Sequence, residues 1–149
     1  MLIYFLLVPF ILALDIFTKY LATTVFKLNE LEIIKDVLYF TYVENRGAAF
    51  GIMQNKQWFF IVVTVILITA IIIYMLKTKP QNKLLNTSLV FIISGGIGNL
   101  IDRASLGYVV DFIDVRIINY PVFNVADCFV VVGAILLCAI LIFSKEDKE

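Results

Sequence analysis

The chain has 149 residues, 62% of them apolar and 16% charged, with 12 basic and 12 acidic side chains and no histidine; its mean hydropathy is +0.98. A soluble domain does not tolerate that hydrophobicity, and the length leaves room for one membrane domain, so residues 1–149 read as a single integral membrane unit. Zero net charge gives no field for nucleic acid, and the absence of histidine removes Ser-His and Cys-His nucleophile pairs and histidine metal sites.

Residues 2–26 form the first apolar run. No basic residue precedes Lys19, so the run reads as a retained transmembrane helix rather than a cleaved signal peptide. Asp15 falls about 20 Å along it, in the far part of the bilayer core, and Lys19 follows one turn later on the same face. The plain reading is a local ion pair with Lys19 snorkelling outward, which makes Asp15 a supporting residue.

Residues 27–57 are mixed and polar. The stretch 32–43 is rich in β-branched and aromatic residues, as short strands at a membrane surface would be. After it come Glu44-Asn45-Arg46-Gly47-Ala48-Ala49-Phe50-Gly51, whose glycines and small residues allow tight turns. Read alone, this is a connecting loop and Arg46 a solvated or headgroup-paired charge.

Residues 58–76 are the clearest transmembrane segment, with Trp58 suited to an interface. The loop 77–83 carries three lysines and no acid, which places it in the cytoplasm. Residues 84–101 and 122–143 cross again, and 144–149 form a polar tail. Four crossings put both termini in the cytoplasm, make 27–57 and 102–121 extracytoplasmic, and gather Asp15, Asn45, Arg46, Asp102, Asp111 and Asp127 at or just below the outer face.

Helical spacing groups Asn99, Asp102 and Arg103 at the end of the third crossing, and Asn124 with Asp127 at the start of the fourth. Glycines 95, 96 and 98 suit close helix packing, since no strand precedes them as a dinucleotide-binding loop would require. Asn124 and Asp127 are adequately explained as a helix cap with an acid in the first turn. A cap does not explain Asp111, set in Val109-Val110-Asp111-Phe112-Ile113, where apolar surroundings favour the protonated carboxyl. Two such carboxylates sharing one proton meet the requirement of a two-aspartate hydrolase. Composition leaves open Ser-Lys catalysis by Ser94 and Lys19, a four-helix ion carrier and a structural subunit packed through its glycines. A carboxylate-only metal site would be unusual in so apolar a chain. Cys128 reads as a packed thiol, and Cys138, about 15 Å further along a helix, is out of disulfide reach of it.

Five blocks then coincide with a known family: Asp15-Ile16-Phe17-Thr18-Lys19, Asn45 to Gly51, Gly98 to Arg103, Val109 to Phe112, and Phe123 to Asp127. In this order, over essentially the whole length, they resemble lipoprotein signal peptidase, the type II signal peptidase family of bacteria. One departure is Cys128, where the family usually has serine. The resemblance implies an all-α membrane protein with four transmembrane helices and a small extracytoplasmic β-element between helices 1 and 2. It implies an aspartic endopeptidase with Asp111 and Asp127 as the catalytic pair and no metal or cofactor. Asp15, Asn45, Asn99, Asp102, Arg103, Asn124 and Ala126 would surround the pair. Asn99 and Asn124 would orient it, Arg103 would pair with Asp102, and Asn45 and Arg46 would hold the substrate backbone or lipid ester region. The implied substrate is a diacylglyceryl-modified prolipoprotein, cut before its lipidated cysteine in the bacterial plasma (inner) membrane by a monomer in contact with membrane lipid.

Overall fold

The structure, a computed structural model, describes residues 2–47, 52–118 and 120–143. The expected polar tail and the turn residues 48–51 lie outside them.

Four helices are long and apolar enough to cross a membrane. The first begins with a short piece, α1 (Leu2–Phe5), and continues as α2 (Leu7–Leu21), then as a π-helical turn over Ala22–Phe26. Pro9 explains the break at Leu6, because it has no N–H to offer the carbonyl four residues back, on Phe5. The second crossing is α3 (Gln57–Thr78), ended by Lys79 in the left-handed region and then Pro80. The third, α4 (Lys83–Ser105), starts at Asn82, whose side chain accepts from Leu85 N at 3.1 Å. The fourth is α5 (Val125–Phe143).

Helix α4 is the central one, packed against α2, α3 and α5, and most of its polar side chains are buried inside the bundle. Its glycines set the spacing. A Cβ on Gly95 would lie 2.2 Å from Ala126 O, and one on Gly98 would lie 2.6 Å from Asp15 Oδ2. Only glycine admits α5 and α2 that close. The outer faces of α3 and α5 carry exposed Val62, Ile66, Ile135 and Leu141, and Trp58 is 80% exposed at the start of α3. Such a surface is an anomaly in water and ordinary in lipid, as for a multi-pass membrane protein.

Three strands, β1 (Leu31–Ile34), β2 (Leu38–Asn45) and β3 (Val109–Val115), form one antiparallel sheet in the order β1-β2-β3. β1 and β2 lie in the segment between the first two crossings, where the β-element is expected, and β3 is added from the segment between the third and fourth. The reason is edge pairing, since β2 has two edges and the β1 hairpin covers only one. Val109, Val110 and Phe112 then become buried, with Phe112 packed on Phe26 and Phe40. β2 holds one extra residue between the pairs Phe40↔Ile113 and Val43↔Asp111, a bulge that re-aims the strand next to Asp111.

Candidate active site

Asp111 and Asp127 arrive from different elements. Asp111 is the third residue of β3 and is 1% exposed. Asp127 sits in the first turn of α5. The segment before α5 joins them: Phe112 N and Ile113 N both donate to Phe123 O, at 3.0 and 2.8 Å, and Phe123 N donates to Ile113 O at 3.1 Å. That backbone zipper lays residue 123 along β3, so Asn124 must emerge beside Asp111.

Asn124 is fully buried and serves both sides. Its Oδ1 accepts from Asp127 N at 2.9 Å, and its own N donates to Asp127 Oδ2 at 3.2 Å, a reciprocal cap for α5. Its Nδ2 donates to Asp111 Oδ1 at 2.6 Å and to Asn99 Oδ1 at 3.1 Å. The cap explanation of Asn124 is therefore correct and incomplete.

Each carboxylate receives a further amide. Asn45 Nδ2 donates to Asp111 Oδ2 at 2.9 Å, and Asn99 Nδ2 donates to Asp127 Oδ1 at 2.7 Å. Asn45 pairs with Val109 in the ladder, so Asp111, two residues on, is its diagonal neighbour on the same face. Asn45 Oδ1 also accepts from Gly47 N at 2.9 Å, which fixes which end of the amide points at Asp111.

Burial pushes the Asp111 carboxyl up to about 7, with the charge of Asp127 adding to it; the amides of Asn45 and Asn124 and the charge of Lys19 oppose the rise. A cavity of about 190 Å³ opens onto the pair, walled by Asn45, Asn99, Arg103, Val109, Asp111, Tyr120, Pro121, Val122, Phe123, Asp127 and Val131. Two carboxylates with polar donors behind them and apolar walls in front can hold a water against a bound carbonyl. Among the described residues no group of three or more cysteine or acidic side chains is placed to hold a metal ion.

Behind the pair lies a second polar cluster. Lys19 is 5% exposed and points inward, with Nζ 2.9 Å from Asp15 Oδ2, 3.0 Å from Asp102 Oδ2 and 3.1 Å from Asn99 Oδ1. The expected Asp15–Lys19 pair is present, but the outward snorkelling is not: inside the bundle the ammonium meets two carboxylates and an amide oxygen at once. Sequence reasoning placed Lys19 only in an outward-facing ion pair and in the serine–lysine alternative, and did not count it among the residues around the aspartate pair. Asp15 Oδ1 accepts from Ala126 N at 2.9 Å, so Ala126 contributes its backbone and its small size. Asp102 Oδ2 also accepts from Val110 N at 3.0 Å and ties α4 to β3.

One expected pairing is corrected here, and one open alternative loses its contact. Asp102 pairs with Lys19, not with Arg103. Arg103 lines the cavity with its guanidinium 5.1 Å from the Phe60 ring centre, and its buried Nε has no hydrogen-bond partner among the described residues. Arg46 donates to Glu44 Oε2 at 2.9 Å and lies 5.1 Å from the Tyr108 ring, while its carbonyl accepts from Asn55 N and Gln57 Nε2. Ser94 donates to Val90 O at 2.7 Å, and the ammonium of Lys19 is taken up by Asp15, Asp102 and Asn99, which leaves the serine–lysine alternative without its contact. Cys128 and Cys138 are both free thiols.

Comparison with known proteins completes the description. A family model described as signal peptidase (SPase) II matches residues 7–143. The lipoprotein signal peptidase of Caldanaerobacter subterraneus subsp. tengcongensis is 52% identical over 139 residues, covering 92% of this chain and 94% of that protein. The lipoprotein signal peptidase of Clostridioides difficile is 44% identical over 148 residues, covering 99% of each. A solved bacterial membrane enzyme, determined by the in meso method at 2.3 Å resolution, superposes with a TM-score of 0.89 at 34% identity, covering 98% of this chain and 93% of that one.

Proposed function

Since the chain belongs to the signal peptidase II family, we propose that it is an aspartic endopeptidase that removes the signal peptide from diacylglyceryl-modified prolipoproteins, cutting on the N-terminal side of the lipidated cysteine. The observation that carries this reading is the pair itself: Asp111 and Asp127 border one cavity, each oriented by asparagine amides.

The pair shares one proton; in the proposed cycle Asp111, which burial raises to about 7, enters with it and Asp127 is the base. Asp127 takes a proton from water as the water oxygen attacks the scissile carbonyl carbon. Asp111 gives its proton to the carbonyl oxygen, which leaves a neutral gem-diol. On collapse the C–N bond breaks, Asp127 passes its proton to the leaving amine, and Asp111 recovers one from the gem-diol. One water is consumed and the pair is restored with no covalent enzyme intermediate.

In this reading Asn45 and Arg103 line the entry and meet the peptide or the lipid ester, and Arg46 joins them only by leaving Glu44. The acyl chains stay in lipid while the scissile bond reaches carboxylate depth. The proposed setting is a monomer in the bacterial plasma membrane, with both termini cytoplasmic and the site near the extracytoplasmic face. The test is mass spectrometry of a diacylglyceryl-modified prolipoprotein and its unlipidated form after incubation with purified protein. Cleavage of the lipidated form alone, before the modified cysteine and lost in Asp111→Asn and Asp127→Asn, is expected. Appreciable cleavage by either folded variant refutes the assignment of the pair.

A further inference from the structure

We infer that Lys19 is a positioning residue for the aspartate pair, acting through Asn99: it sets which end of the Asn99 amide faces Asp127 and so completes a one-way chain of hydrogen bonds ending on both carboxylates. The inference rests on the proposed peptidase reading and extends it to a side chain that touches neither aspartate of the pair.

An asparagine amide can be turned end for end, and the turn exchanges a donor for an acceptor. At Asn99 the choice matters, because only the NH₂ end can support an ionised Asp127. Asn99 Oδ1 is met from one side by Lys19 Nζ at 3.1 Å and from another by Asn124 Nδ2 at 3.1 Å. Lysine has donors and no acceptor, so beside it only the oxygen of Asn99 is tolerated. Nδ2 is then committed to Asp127 Oδ1, at 2.7 Å. The same oxygen accepts from Asn124, whose polarity is separately fixed by the bond from Asp127 N, and Asn124 delivers its remaining donor to Asp111.

Asp15 and Asp102 hold the ammonium in place from α2 and α4. Each is anchored by a backbone N–H, from Ala126 on α5 and Val110 on β3 respectively. The cluster thus references Lys19 to the two elements that carry Asp127 and Asp111. A buried ammonium held by two carboxylates could be a mere structural bolt. The bond to Asn99 is the feature a bolt does not need.

The charged and titratable groups around the pair are Lys19 and Asp15 on α2, Asp102 and Arg103 on α4, Tyr120 before α5 and Cys128 on α5. Of the two cations, Lys19 stands behind the pair and Arg103 lines its mouth. Loss of the Lys19 charge makes the pair harder to ionise, so both limbs of the pH–rate profile move to higher pH.

The experiment compares wild type with Lys19→Met and Lys19→Gln, purified in detergent, on the diacylglyceryl-modified prolipoprotein. Rates are taken from pH 5 to 9 on the monodisperse fraction. Folding of each variant is read directly from its monodisperse yield and thermal midpoint. Lys19→Gln is the second variant, since it keeps an N–H donor for Asn99. In Lys19→Met, kcat falls about 10²-fold with KM within a few-fold of wild type, as misplacement of a reacting group does, and both pH limbs shift upward. Lys19→Gln recovers part of kcat and keeps the shifted limbs. A wild-type kcat and profile in either folded variant overturns the inference, and so does a loss of yield with the profile unmoved. If neither variant gives folded protein, Lys19 is structural and the inference falls. Wild-type cleavage with unchanged variants defeats this inference alone, whereas absence of wild-type cleavage defeats the proposed function first.

Discussion

Asn124 donates to Asp111 Oδ1 at 2.6 Å through the same side chain whose oxygen caps α5. One residue thus closes a helix and bridges the two carboxylates, and the two duties can be separated. In Asn124→Ser the hydroxyl still accepts from Asp127 N but is too short to reach Asp111. Cleavage is expected to fall about 10²-fold with a thermal midpoint near wild type, because the cap survives. Asn124→Ala loses both, with a further stability loss of about 1 kcal/mol. Equal midpoints for Ser and Ala would contradict the cap duty, and full activity in Ser the bridge.

Raising the Asp111 carboxyl to about 7 sets the upper pH limit of the proposed reaction, in which Asp111 must enter protonated. The rate at low substrate should hold through mildly acidic pH and fall roughly tenfold per unit above about 7. A rate still climbing at pH 9 would reverse the assignment of acid and base.

The same shift has a stability consequence of definite sign. A carboxyl whose folded pKa lies above its unfolded value binds more protons when folded, so stability is greatest below the unfolded value of about 4 and declines as pH rises toward about 7. Asp111 is 1% exposed, so the whole change, of order 2–4 kcal/mol, belongs to the folded protein. Thermal scans of wild type should show this decline and scans of Asp111→Asn should lack it, so that the inactive variant gains on wild type between pH 5 and 8. Parallel curves would mean that Asp111 is not the shifted group.

Glycine positions on α4 differ sharply in what they tolerate. In Gly95→Ala the new Cβ would meet the Ala126 carbonyl at 2.2 Å and Val130 N at 3.1 Å, and backbone cannot yield as a side chain can. We expect a loss of about 3 kcal/mol or failure to fold. Gly96→Ala meets only side-chain ends, of Ile68 at 3.2 Å and Thr64 at 3.6 Å, and should express and cleave normally. Detergent melting curves of the two distinguish packing at one face from a general need for flexible helix.

Much of the site was legible because its parts are local. The Asn124–Asp127 cap is a four-residue pattern, and the packing role of Gly95 and Gly98 follows from small residues in an apolar run. Asp111 was legible as an anomaly, a carboxylate among valines and phenylalanine. The partners of the charged residues were not legible. Asp102 and Arg103 are adjacent in sequence, yet Asp102 turns to Lys19 and Arg103 stacks on Phe60, because neighbouring helix residues point about 100° apart and each meets a different element.

By itself the sequence determined the four apolar helices, since runs of about twenty apolar residues have essentially one stable form in a bilayer. It also determined where polar chemistry had to collect. Only the tertiary structure decided that residues 109–115 become a strand, because an open edge of β2, 66 positions away along the chain from Asn45 to Asp111, needed a partner. Only it decided that Lys19 faces inward. A lysine near a helix end can reach water or a buried acceptor, and the choice went to the interior because Asp15, Asp102 and Asn99, from two helices, converge on one point there.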